Sequence, residues 1–306
     1  MISECVEYIV ESMDPACDML AIVGPTASGK TALAVAVARK MMSDGRKVEI
    51  ISADSRQVYR GMDIGTGKDV AEYSEGGVFV PYHLIDIAAA GEKYNLFRYQ
   101  QDFQKVYADL RSRGVFPILC GGSGLYVDAV TKGYVMPQVD PDPQLRASLE
   151  DKTMDELIEI LSSMKKLHNT TDVDTKKRAI RAIEIAKYFQ DHGLEQDGCS
   201  AGEEVPKQVR FIGVDVDRDV RVARIDRRLD ARLQEGMVEE IQSLLDSGIP
   251  AEDLIYYGLE YKFVTLYLTG ELTFEEMRKH LAIAIHQFAK RQMTWVRGME
   301  RKGTVI

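Results

Sequence analysis

A chain of 306 residues, 45% hydrophobic and 28% charged, has enough apolar material for one large core or a core with a subdomain, which excludes a disordered or fibrous protein. Its formal net charge of −9 at pH 7 argues weakly against a nucleic-acid partner on bulk charge alone, since phosphate contacts dominate such affinity. The longest apolar runs, Met19 to Val23 and Val115 to Cys120, are too short to cross a bilayer, and no basic segment precedes an apolar stretch at the N-terminus. No membrane association and a cytoplasmic location are therefore expected.

Along the chain, the short run Met19 to Val23 ends in glycine and gives way to a helical pattern over Thr31 to Met42, which reads as strand, loop, helix. Lys47 to Ala53, Tyr82 to Ile87 and Val115 to Cys120 read as three further buried strands, separated in part by helical patterns such as Leu96 to Arg113. Strands alternating with helices predict an α/β fold, a parallel sheet flanked by helices. After Gly133 the character changes. Residues 134–144 hold three prolines, the stretch from there to about Gln196 is helix-like, and Asp197 to Lys207 is a polar linker. We read residues 138–205 as a small helical domain inserted into a core formed by 1–137 and 206–306. Val209 to Asp217 returns to strand, and long helical patterns cover Arg218 to Leu245 and Thr273 to Met299.

"GPTASGKT", Gly24 to Thr31, has the GxxxxGK[ST] pattern between a buried strand and a helix, the context that gives the match weight and makes the fold P-loop NTPase-like. Its glycines let backbone amides turn toward one anion, Lys30 neutralises phosphate oxygens, and Thr31 is placed to hold Mg²⁺. The loop identifies only a diphosphate with its metal. "IISADSRQVY" puts Asp54 at the carboxyl end of the second strand, beside that loop. From the residues alone three roles stay open for it: a magnesium ligand as in a kinase, a role Asp86 could also take; a base for a nucleophile attacking carbon attached to the diphosphate; or the cap of the next turn. Cys5, Cys17, Cys120 and Cys199 have no CxxC spacing, which argues against zinc and fits free thiols.

The ordered segments "GPTASGKTALA", "ISADSRQVYRGMDIGTGK", "YHLIDI", "CGGSGLYVDAV", "KKRAIRAIEI" and "FAKRQMTWVRGM" resemble those of the tRNA dimethylallyltransferases, also called tRNA isopentenyltransferases or the IPP transferase family. The likeness runs from about residue 20 to residue 300 and includes the DS-x-Q-x-Y and KRQ-x-TW-x-R patterns. It implies that Gly24, Thr26, Ala27, Ser28, Gly29, Lys30 and Thr31 hold the diphosphate of dimethylallyl diphosphate, with Mg²⁺ at Thr31. It further implies that the amine of the adenosine just 3′ of a tRNA anticodon attacks the allylic carbon, with Asp54 as base, Ser123 on the reacting adenosine and Lys30 stabilising the leaving group. Ser55, Arg56 and Gln57 would accompany Asp54 at the RNA, Gln57 holding the base once it leaves the stack.

Basic residues fall where RNA contact is implied: Lys177, Arg178 and Arg181, with Lys165, Lys166 and Lys176 nearby, and then Lys290, Arg291 and Arg297. At helical spacing His286, Lys290 and Arg297 share a face, while Ile285, Phe288, Gln292 and Trp295 form a largely apolar one that packs on the core. Three positions depart from the family's usual pattern. Ser123 stands for Thr and keeps the hydroxyl, "EYK" at Glu260 to Lys262 stands for "GYR", and His286 stands for Arg. Lys262 keeps a charge for the diphosphate without the bidentate guanidinium. The expected partners are the anticodon stem-loop of tRNA and dimethylallyl diphosphate, with no redox cofactor, and a monomer is expected. Prenyl transfer to free adenine nucleotides, a P-loop nucleotide kinase and a nucleotide-gated RNA-binding protein without catalysis are the rival readings; the two basic groups favour tRNA over a mononucleotide.

If Lys290 and Arg291 meet RNA phosphates, replacing both by Ala flattens the slope of log tRNA affinity against log salt by about one to two units. Binding titrations across a salt series test this, and an unchanged slope and affinity would place both side chains off the RNA.

Overall fold

The computed structural model describes residues 2–134, 138–165, 171–193 and 205–304. The chain forms two compact units: Tyr134–Ala201, and Met1–Gly133 together with Gly202–Ile306.

The larger unit runs α1 (Ile2–Glu11), β1 (Met19–Val23), α2 (Lys30–Ser43), β2 (Val48–Ser52), β3 (Tyr59–Arg60), β4 (Tyr82–His83), β5 (Ala88–Ala89), α3 (Leu96–Ser112), β6 (Phe116–Gly121) and α4 (Gly124–Thr131). The smaller unit supplies α5 (Pro143–Glu150), α6 (Met154–Met164) and α7 (Lys176–Asp191). The chain then returns through β7 (Val209–Gly213), α8 (Arg218–Gln234), α9 (Met237–Asp246), α10 (Ala251–Tyr256), α11 (Leu259–Leu268) and α12 (Phe274–Arg301).

Five strands pair in parallel in the order β4-β2-β6-β1-β7, and β3 pairs with β5 in a separate ribbon. The sheet is covered on both faces, as continuous apolar strands require. Leu20, Ile22, Ile50 and Ile118 join a core with Ala34, Val37 and Met41 of α2, whereas Met19, Ala21, Ile51 and Leu119 join one with α3, α4 and the C-terminal helices. Among the described residues no helix is long and apolar enough to cross a membrane.

Three elements end earlier than their sequence pattern predicts. The apolar run Tyr82 to Ile87 keeps only Tyr82–His83 as strand, because Leu84 and Asp86 take left-handed φ of 62° and 58°, which extended backbone cannot contain. The strand expected over Val209 to Asp217 stops at Gly213. The helical pattern Arg218 to Leu245 is two helices, divided at Gly236 with φ 102°.

In the smaller unit each helix start is fixed by its own sequence. Asp142 accepts from the amides of Gln144 and Leu145, Thr153 and Glu156 form a capping box, and Thr175 accepts from the amide of Arg178. Its polar centre is Glu184, whose side chain is 1% exposed. The carboxylate accepts from Arg146 at 2.6 and 2.8 Å, from Arg181 at 3.0 Å and from the amide of Asp142 at 3.0 Å. Burial opposes its ionisation, but hydrogen bonds from the two guanidiniums outweigh burial and hold the carboxyl down at about 2. A carboxyl depressed in the folded state stabilises fully above its unfolded value, about 4.5, and loses that contribution as pH falls toward 2. Glu184→Gln should therefore cost about 2 kcal/mol at neutral pH. It should also flatten the decline in melting temperature below pH 4.5 relative to the unaltered chain. Thermal melts of both proteins from pH 7 to pH 3 test this, and parallel pH profiles would remove Glu184 from the account.

Candidate active site

In the sheet β1 leads through α2 to β2 on one side, while β6 leads on to β7 on the other. The crevice at the carboxyl ends of these neighbouring strands is where an open parallel sheet binds ligands. Three turns meet there: Gly24 to Lys30 after β1, Ala53 to Gln57 after β2, and Gly122 to Ser123 after β6.

Left-handed φ at Ala27, 58°, and at Gly29, 88°, with Ser28 of ordinary hand between them, alternates the backbone so that successive amides face one point. Gly29 also caps α2, whose N-terminus adds partial positive charge. Ser28 Oγ is buried and has no hydrogen-bond partner among the described residues, a donor facing a site for an acceptor. Lys30 Nζ donates to the carbonyl of Pro25 at 3.4 Å, folded back over the loop. Cys120, at the end of β6, is buried beside the loop, and burial pushes its thiol up to about 11 against the opposing charge of Lys30. The amide of Thr26, by contrast, donates to Gln292 of α12 at 2.8 Å and so points away from the concave side.

Asp54 is half-buried, and its Oδ1 accepts from the amide of Arg56 at 2.9 Å, the turn-capping role that the sequence left open. Its Oδ2 has no hydrogen-bond partner among the described residues, so capping and proton acceptance are compatible in one side chain. Ser123 Oγ accepts from the amide of Ser55 at 3.0 Å and donates to Ser55 Oγ at 3.2 Å, which joins the turns after β2 and β6. Gln57 donates to the carbonyl of Gly67 at 3.0 Å and accepts from Ser52 Oγ at 3.3 Å, and Arg56 donates to the carbonyl of Tyr256 at 3.4 Å. Asp86, the rival metal acid, is instead paired with Lys68, a buried cation that also binds Asp63 and the carbonyl of Tyr59.

The loop of residues 63–65 is held by Glu240 of α9, whose carboxylate accepts from the amides of Asp63, Ile64 and Gly65 at 2.8, 2.7 and 3.1 Å and from Tyr261 Oη at 2.7 Å.

The profile of the IPP transferase family matches residues 57–299, and that of the isopentenyl transferases matches residues 17–77. The tRNA dimethylallyltransferase 2 of Porphyromonas gingivalis is 59% identical over 288 residues, 94% of this chain and 92% of that protein. The chain belongs to the IPP transferase family. A solved structure of the full-length tRNA isopentenylpyrophosphate transferase from Bacillus halodurans shares 35% identity, covers 92% of this chain and 86% of its own, and superposes with a TM-score of 0.65. A eukaryotic dimethylallyltransferase structure, 22% identical, covers 94% of this chain and 72% of its own with a TM-score of 0.74, a likeness of fold.

Within this IPP transferase frame, sequence reasoning overlooked a row of guanidiniums. Arg224, Arg228 and Arg232 recur every fourth residue on α8, a spacing that places them on one face. Arg224 reaches the carbonyl of Ser28 at 3.4 Å, and Arg228 reaches the carbonyl of Gly67 at 3.3 Å and the carboxylate of Asp69. Arg228 and Arg232 line a small pocket with Thr26, Ala27 and Glu260. Burial and then the charge of Arg228 pull Arg232 below the usual guanidinium range, opposed by Glu260 at 3.8 Å. From the departing "EYK" segment it is Glu260 that lines this pocket, while Lys262 is exposed, with its Nζ 5.4 Å from the ring centre of Phe263.

The basic groups differ in how free they are. Arg178 is paired with Asp174, Arg181 with Glu184 and Lys165 with Asp172, and Lys176 donates to the carbonyl of Glu150, whereas Lys177 is exposed with no ion pair among the described residues; Lys166 lies outside the described residues, as does Cys199. On α12, Lys290, Arg291 and Arg297 are exposed, with Arg291 over the ring of Phe288 at 5.8 Å. Phe288 is itself 37% exposed, so it lies off the packed seam that its helical spacing predicts. Trp295 packs against Gly124 and donates to Asp128 at 3.3 Å, and His286 is hydrogen-bonded to Asp226 of α8 at 2.9 Å.

The placement separates Lys262 from Arg228. Lys262→Ala should change pyrophosphate affinity by less than about threefold, whereas Arg228→Ala should weaken it about tenfold, or 1.4 kcal/mol. Calorimetric titration of both variants decides between them, and the opposite order would return Lys262 to the diphosphate.

Proposed function

We propose that this chain transfers a dimethylallyl group from dimethylallyl diphosphate to the exocyclic N6 amine of the adenosine 3′-adjacent to the anticodon in tRNA, releasing pyrophosphate. The carrying observation is the meeting of an amide-lined phosphate loop with a carboxylate that keeps one oxygen free, Asp54 Oδ2, at the crevice of a parallel sheet. Asp86, the second of the two acids that a kinase could use for its metal, is instead paired with Lys68.

In this reading the N6 lone pair forms a bond to the allylic carbon as that carbon's bond to the diphosphate oxygen breaks, and the bonding pair leaves with pyrophosphate. Asp54 Oδ2 takes the N6 proton, while Oδ1, held by the Arg56 amide, fixes the direction of the free lone pair. The loop amides, Ser28 Oγ, Lys30 and the guanidiniums of Arg224 and Arg228 stabilise the charge that grows on the leaving group. Ser123 sits at the acceptor side, its oxygen already fixed by Ser55. Among the described residues no three His, Cys, Asp or Glu side chains gather as a metal site. Thr31, the first residue after Lys30 in the loop, would touch a Mg²⁺ brought by the diphosphate, since this ion keeps most of its ligands as water and phosphate oxygen. When bound, it would neutralise diphosphate charge. The exposed cations of α12 supply the RNA-facing surface, with Lys177 of the smaller unit as a second point of contact.

Incubating the protein with labelled dimethylallyl diphosphate and either bulk tRNA or AMP tests the assignment: label in tRNA supports it, label in AMP transfers it to free nucleotides, and label in neither removes the transferase reading. Asp54→Asn retains an oxygen for the Arg56 amide, so folding should persist while single-turnover prenylation falls by roughly 10² to 10⁴ with substrates still bound. Asp54→Ala loses the turn bond as well and should melt lower, by about 1 kcal/mol. Near-normal turnover in the Asn variant would dismiss Asp54 as the base, and a loss restored by excess Mg²⁺ would make it a metal ligand.

A further inference from the structure

Gln292 lies in the middle of α12 on a face otherwise occupied by Ile285, Ala289 and Val296, and it is 8% exposed. A buried primary amide has a donor and an acceptor to satisfy. Gln292 satisfies them on two different turns of the site. Its Oε1 accepts from the amide of Thr26 in the phosphate loop at 2.8 Å, and its Nε2 donates to the carbonyl of Gly122 at 2.9 Å, one residue before Ser123. The approach is close enough that Gly122 admits no side chain. A Cβ there would stand 2.5 Å from Gln292 Nε2 and 2.8 Å from the carbonyl of Gly24.

We propose that Gln292 is a positioning residue that sets the separation between the diphosphate seat and the acceptor corner, a role resting on the transferase reading above. Only an amide of this length suits both contacts. A carboxylate cannot donate to the Gly122 carbonyl, and an aliphatic side chain makes neither bond. Holding the Thr26 amide outward also fixes the side of the loop from which Ala27, Ser28 and Gly29 face the phosphate. The exposed neighbours Lys290 and Arg291 stand on the same helix, so the element that offers charge to RNA is tied by hydrogen bonds to the element that holds the donor. In a displacement reaction, rate depends steeply on the distance between the reacting atoms once both substrates are bound.

Gln292→Leu should lower the single-turnover rate at saturating substrates by about 30-fold to 100-fold, leaving pyrophosphate and tRNA affinities within about threefold. Gly122→Ala, which crowds both the amide and the carbonyl of Gly24, should give at least as large a loss. The double variant should be little worse than Gly122→Ala alone, because the connection that Gln292→Leu removes is already broken there. Hydrogen exchange should rise in the peptides covering residues 24–31 and 121–124 and stay unchanged in α3. A normal rate in Gln292→Leu, multiplicative losses in the double variant, or a rate loss with unchanged exchange in both peptides overturns the proposal. Should the unaltered protein prenylate neither tRNA nor AMP, the transferase reading fails on that control alone, while exchange at the two turns still decides whether Gln292 holds them.

Discussion

The site depends on parallel strands whose carboxyl ends lie side by side. Because β1, β6 and β2 are paired in register, with Val23 beside Gly121 and Ser52 beside Cys120, the turns after them start at nearly the same level and must converge. The sheet therefore supplies the spacing, and side chains such as Ser123 and Gln292 refine it with two hydrogen bonds each. Tyr99, fully buried, adds a further tie by donating to the carbonyl of Ser52 at 3.1 Å, so the end of β2 is fixed from the α3 side as well.

Charge is distributed against the bulk number. A net charge of −9 coexists with a local excess of guanidinium groups on α8 near the phosphate loop, part of which is desolvated. Desolvated cations near a concave amide surface gain more from a dianion than exposed lysines would, since water screens them less. Glu260 and Arg232 form a partly buried pair, 3.8 Å apart, in which desolvation raises the acid and lowers the base while each charge opposes the other's shift. Of the two, Glu260 stands where the family pattern has glycine, a local change of charge within an unchanged architecture.

Much of this was legible because it is local. The phosphate loop, the strand before it and the helix after it occupy 25 consecutive residues, and their pattern is set by backbone sterics and glycine. The position of Asp54 is set by its place after a buried strand. Features that depend on pairing across distance escaped the sequence. Gln292 reads as one more member of an apolar face, since nothing in a helical period reveals that Thr26 and Gly122 lie opposite it. The arginine row on α8 was visible as a four-residue repeat, but its meaning required knowing that α8 passes the phosphate loop. The shortened strand at Tyr82 and the exposed Phe288 fail for related reasons: apolar composition shows that burial is favourable, whereas the left-handed residues and the helix seam decide where it occurs.

The carboxylate of Glu240 lies in the loop of residues 63–65 as a phosphate would, accepting from three successive amides. Among the described residues this is a second cradle of backbone N–H groups besides the phosphate loop, and it is filled by the chain's own side chain. A polyanionic ligand is left one cradle to enter, so the orientation of an asymmetric substrate, one end charged and the other a short hydrocarbon, is decided before any contact with the hydrocarbon is made.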